Sequence, residues 1–202
     1  MSVFAGLYIK NVRTHWSLYL LLGLMNKTPS PFLVQLQKRT AQAAMGSSSL
    51  RNQGAAGVLL AARDVAAEIN LKELSHATRT RFHISLDELT QRMLMRFPEN
   101  AQNWGAARKG LNLFLRDATY NKDLCGFYGL EHLRSWLEVP LDKDVASALK
   151  DQPEGKYLPR WCGIKYLTPQ ASREFQTVAT KVAIRSRLPR VDLDVYYWRP
   201  KQ

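Results

Sequence analysis

From about residue 71 onward the sequence repeats one pattern: an apolar stripe at three- and four-residue spacing, cut off by proline, glycine or a polar run, then begun again. No stretch alternates apolar and polar residues long enough to make a half-buried strand. Such a chain can bury its stripes only by packing helix on helix, so an all-α domain is expected.

Individual elements follow from the punctuation. Leu86, Leu89, Met93 and Leu94 form one stripe, opened by Ser85 with Glu88 three residues on, a capping-box spacing, and closed by Phe97-Pro98. The next helix is expected from near Ala106, with Leu111, Phe114, Leu115 and Ala118 inward and Lys109, Asn112 and Arg116 on its polar side. Residues 121–129 read as a loop or irregular helix, and 130–137 as a short helix. Pro140 holds Val139 extended. A helix then starts around Asp142 to Asp144, either of which can cap it, and runs to Lys150. Thr168-Pro169 carries the N-cap and first-turn signature of a helix over 170–187, with Phe175, Val178, Ala179, Val182 and Ala183 inward and Pro189 closing it. Residues 191–198 form a short final element.

The first part of the chain differs. Seven Lys or Arg precede Asp64, and no Asp or Glu does; the rest of the chain carries a surplus of only five cations. Residues 1–54 therefore read as a basic N-terminal region and 55–202 as the helical domain. Within the first region, residues 1–25 suggest a strand or helix start and then an apolar helix, broken at Thr28-Pro29-Ser30-Pro31. A short helix over 32–45 and linker-like stretches at Gly46-Ser47-Ser48-Ser49 and Asn52-Gln53-Gly54 follow. The Ala-rich stretch 55–70 reads as a helix of high propensity. The apolar run Trp16 to Met25 is too short to span a bilayer, and the window back to Phe4 holds Lys10, Arg13 and His15. Its distance from Ala41-Gln42-Ala43 is too long for a signal peptide and its cleavage site. No membrane span is expected, and a cytoplasmic or nucleoid-associated location is.

Net charge of +12 favours a polyanionic partner. The two cysteines, Cys125 and Cys162, form no C-x-x-C or Cys/His cluster, which argues against a disulfide scaffold and a structural metal site. His76, His83 and His132 lie apart from the cysteines and from one another. No metal and no cofactor are expected.

Two residues carry the chemistry. Lys109 lies in Trp104-Gly105-Ala106-Ala107-Arg108-Lys109, a glycine-bearing turn leading into a helix. Backbone N–H groups there could hold a phosphate, and neighbouring cations such as Arg108 would favour the neutral, nucleophilic amine. Asp142, thirty-three residues on, follows Pro140-Leu141, which stiffens its approach. By the residues alone, Asp144 competes for its place, and a solvated lysine with a capping aspartate remains the plainer reading.

Three segments in this order resemble the helix-hairpin-helix DNA glycosylase superfamily, and most of all its archaeal-type 8-oxoguanine DNA glycosylase branch. Ala107-Arg108-Lys109 with Leu113-Phe114 resembles the helix bearing the catalytic lysine, with Gly110 where that branch has threonine. Pro140-Leu141-Asp142-Lys143-Asp144-Val145 resembles the motif of the catalytic aspartate. Leu193-Asp194-Val195-Tyr196-Tyr197-Trp198 resembles the C-terminal segment. The resemblance covers about residues 104–198. It implies helical lobes flanking a cleft, and a monomer acting on double-stranded DNA as a bifunctional glycosylase and AP lyase. Lys109 would attack C1′ of a damaged, flipped nucleotide, a possible oxidised purine, and Asp142 would stabilise the charge developing on the sugar. Asp194 and Trp198 would belong to the pocket. Gly105, Arg108, Lys143, Arg160, Trp161 and Lys165 are the candidate DNA contacts. Arg185, Arg187 and Arg190 are further phosphate candidates, and Trp161 sits in an exposed-looking loop suited to stacking. The alternatives are a helical nucleic-acid-binding protein without catalysis, in which Lys109 is a phosphate contact, and an interaction module of a mobile element.

Overall fold

A computed structural model describes residues 28–50 and 56–198. The expectations for residues 1–25 and for Asn52-Gln53-Gly54 lie outside the described residues. Every regular element among them is helical, joined by short 3₁₀ turns. None of these helices is long and apolar enough to cross a membrane.

The chain divides into two compact units, residues 1–34 and 35–202. The division falls within helix α1 (Pro31–Ala44). In the smaller unit, Ser30 caps α1, its hydroxyl oxygen accepting from the Leu33 N–H at 3.3 Å. In the larger, Gln37 of α1 donates to the Ala66, Ala67 and Ile69 carbonyls at the end of α2 (Val58–Ala67), which satisfies acceptors that a helix end leaves orphaned. Residues 35–50 thus pack with the helical domain.

A short helix α3 (Leu71–His76), capped by Asn70, leads to α4 (Arg79–Arg96). Here the structure corrects the sequence reading. The N-cap is Thr78, whose hydroxyl accepts from the Arg81 N–H, and Ser85 lies inside the helix. The buried stripe continues one turn further back than expected, through Phe82, Leu86, Thr90 and Met93. Glu88 does not return to Ser85 but meets Arg81 across seven residues.

α5 (Trp104–Tyr120) is the central helix, packed on by α2, α4, α6 (Lys122–Tyr128) and α8 (Pro169–Ser186). Thirteen of its 17 residues are buried, including everything from Gly105 to Leu115, so it has no solvent face along its first three turns. Each fully buried Phe or Leu here, such as Phe114 or Leu111, contributes about 1.5–3 kcal/mol. α6 is regular rather than a loop. Asn121 caps it by accepting from the Asp123 and Leu124 N–H groups, and Gly129 ends it in the left-handed conformation at φ 67°.

The C-terminal half assembles on a second part of the core. A 3₁₀ turn, Glu131–Ser135, leads into the extended strip 138–141 and then α7 (Lys143–Lys150). Val139, Leu141, Val145 and Leu149 meet Phe175, Val178, Val182 and Leu193 in one cluster. Gln176 of α8 pins the strip by both donating to and accepting from the Val139 backbone. α8 has the expected Thr168 cap and Pro169 start, and α9 (Leu193–Tyr197) closes against α7.

Candidate active site

α5 places Arg108, Lys109, Asn112 and Arg116 along one side, and the facing segments answer with carboxylates. The polar side of the helix is an interior face: Arg108, Lys109 and Asn112 are all buried. It is polar because it meets Glu138, Asp142 and Asp194.

The neighbours Arg108 and Lys109 are used differently. Arg108 holds Glu138 through two parallel hydrogen bonds of 2.8 and 3.1 Å. Its third nitrogen donates to the Leu86 carbonyl and the Thr90 hydroxyl, and lies 2.9 Å from Asp87. All three nitrogens of the guanidinium are engaged, so Arg108 is an internal tie between α4, α5 and the 138–141 strip. This corrects its expected role at a phosphate. Burial pushes the Glu138 carboxyl upward, but the Arg108 charge and the hydrogen bonds from Arg108 and Asn112 outweigh it and hold the group below the usual carboxylate range.

Lys109 has one hydrogen-bond acceptor among the described residues, Asp142, at 3.4 Å. Its side chain is about 10 % exposed and that of Asp142 26 %. The other Asp142 oxygen accepts from the Asp144 and Val145 N–H groups at 3.0 Å and caps α7. Asp142, not Asp144, is therefore both the cap and the lysine's partner, and Asp144 is exposed. Capping orients the carboxylate, leaving its second oxygen toward Lys109.

Asp194 joins this pair. It is buried at the start of α9 and ion-paired with Arg116, which also holds Asp117. Burial pushes the Asp194 carboxyl above the usual range; Arg116 opposes this, the Asp142 charge adds to it, and Lys109 opposes it. The three charged residues singled out in three separate segments thus act on one another. Arg116 completes the group; sequence spacing placed it on the right face without indicating its carboxylate partners. Asn112 donates to Glu138 at 3.1 Å, and its side-chain oxygen is buried with no partner among the described residues.

Other expected contacts fall differently. Gly105 is not in a hairpin turn but in the first turn of α5, where a side chain would lie 2.3 Å from the Ile164 carbonyl oxygen. Glycine is needed there for close packing. Trp161 is not an exposed wedge: it is half-buried, edge-on to Phe175 at 5.6 Å, because Leu158 and Leu167 draw the loop onto the core. Arg185 pairs with Glu154, and Arg190 donates to the Trp136 and Leu137 carbonyls. Lys143, Arg160, Lys165, Arg187 and Trp198 are exposed. Surface depressions of about 360 and 390 Å³ lie beside α1, and neither is lined by Lys109 or Asp142. Among the described residues, no group of His, Cys, Asp or Glu could hold a metal ion.

Comparison of the chain with models of known families, with curated proteins and with solved structures finds no match.

Proposed function

We propose that the protein is a base-excision enzyme of the helix-hairpin-helix glycosylase type, acting on damaged double-stranded DNA as glycosylase and AP lyase, with Lys109 as nucleophile and Asp142 as its carboxylate partner. The observation that carries this reading is the contrast between adjacent cations on one buried helix. Arg108 is saturated by structural acceptors, whereas Lys109 has a single long contact to a carboxylate held in place by its own capping bonds. A buried cation kept for stability alone is expected to be fully hydrogen-bonded.

In this reaction Asp142 takes a proton from the Lys109 ammonium across the 3.4 Å contact. The freed Nζ attacks C1′ as the N-glycosidic bond breaks, and the electron pair of that bond leaves with the base, which takes the proton from Asp142. The C1′–O4′ bond then opens, a proton passing from nitrogen to O4′, and the resulting imine acidifies C2′; loss of the C2′ proton expels the 3′ phosphate and nicks the strand. Asp142, ionised again once its proton has passed to the departing base, stabilises the positive charge on the sugar.

The test is strand scission. Duplexes carrying one abasic site or one 8-oxoguanine should be nicked 3′ to the lesion by the parent protein, and not measurably by Lys109→Ala that still binds them. Folded parent protein that leaves every damaged duplex intact would leave nucleic-acid binding without catalysis, with Lys109 as an ionic contact.

A further inference from the structure

We infer that the loop 156–166 is a preformed ridge that binds a nucleic-acid strand through unpaired bases, with Lys156, Arg160 and Lys165 holding phosphates and Tyr157 and Tyr166 stacking on bases. The inference takes nucleic acid as partner from the reading above, but it stands on different residues and does not require Lys109 to react.

The loop is held by apolar anchors three residues apart. Leu158 and Leu167 are buried, while Trp161 and Ile164 are half-buried, with Trp161 packed on Phe175. The Ile164 carbonyl presses on the first turn of α5 at Gly105. Before and between these anchors, Lys156, Tyr157, Arg160, Lys165 and Tyr166 face outward. Tyr157 is 88 % and Tyr166 67 % exposed, and the Lys156 ammonium lies 5.7 Å from the Tyr157 ring centre. The segment contains no carboxylate. The nearest one before it, Glu154, is taken by Arg185, and none of the three ridge cations has an ion pair among the described residues.

Cations interspersed with exposed phenol rings on an anchored backbone suit a nucleic-acid strand: phosphates need charge without competing carboxylates, and a base of any identity can stack on a phenol. A lipid surface fits less well, because Leu158 and Leu167 are buried and the outward rings are phenols, which favour the interface over the bilayer core. The ridge docks on α5 at Gly105, four residues before Lys109 and about 6 Å of rise along the helix.

The experiment is fluorescence anisotropy of the full chain with a labelled single-stranded oligothymidylate, its duplex, and anionic lipid vesicles. The single strand should bind more tightly than the duplex. The Lys156→Ala/Arg160→Ala/Lys165→Ala variant should lose about tenfold or more in affinity at roughly 0.1 M salt, with a shallower salt slope. Tyr157→Ala and Tyr166→Ala should each lose about fivefold or more with the slope unchanged. All five side chains are exposed, so the variants should keep the parent's helical circular dichroism. Variants that bind as the parent does, a parent that prefers the duplex, or one that binds only the vesicles would overturn the inference. Lys109→Ala should retain this binding. If it does and the parent fails to nick damaged duplexes, the catalytic reading falls and the ridge stands.

Discussion

At the scale of single residues, the same side-chain type means different things according to what faces it. Arg108 and Lys109 are consecutive cations with the same helical context, yet one ties three segments together and the other contacts a single carboxylate. Sequence could single out Lys109 through its surroundings, but it could not show that Arg108 is committed to Glu138, because that pairing spans 30 residues. Gly105 is a similar case. Its presence was legible, but its reason, the approach of the Ile164 carbonyl, depends on a segment some sixty residues away. Gly105→Ala would drive a methyl group into that carbonyl and the Leu167 side chain, both backed by packed core. It should destabilise the protein by about 2 kcal/mol, measured by urea unfolding, despite alanine's better helix propensity.

At the scale of elements, local signals worked where one residue type decides the outcome. Pro140, Thr168-Pro169 and the Phe97-Pro98 stop gave the right boundaries, since each acts on the backbone beside it. The start of α4 was misread because serine followed three residues later by glutamate also occurs inside helices, and Phe82 to Leu86 continues the stripe past it. The polar side of α5 was legible as polar but not as interior. Amphipathicity separates polar from apolar sides, but it does not separate water from carboxylates as the partner of the polar side. Asp142 joins two roles that substitutions can divide. Asparagine can still cap α7, whereas alanine cannot. Asp142→Asn and Asp142→Ala should both abolish strand scission, while the alanine variant is less stable by about a further 1 kcal/mol in thermal unfolding.

At the scale of the whole molecule, fold class was legible because periodic stripes and short connections persist through the chain, whereas the charge network was not. Glu138, Arg108, Asn112 and Arg190 come from three distant segments and meet only in the folded state. Because the Glu138 carboxyl lies lower in the folded than in the unfolded chain, the stability it contributes is complete above the ordinary glutamate value of about 4.3. That contribution is lost as pH falls through the depressed folded value. Glu138→Gln should therefore be less stable than the parent at pH 7, by about 3 kcal/mol for a broken buried pair. The gap should narrow toward pH 3, as urea unfolding at each pH will show. The central claim concerns one bond, between Lys109 Nζ and a sugar carbon. Borohydride reduction of the protein mixed with abasic-site duplex tests it directly. The parent should give a covalent protein–DNA adduct whose modified residue maps by mass spectrometry to Lys109, and folded, DNA-binding Lys109→Gln should give none. An adduct that persists in that variant, or no adduct from folded parent protein, would contradict it.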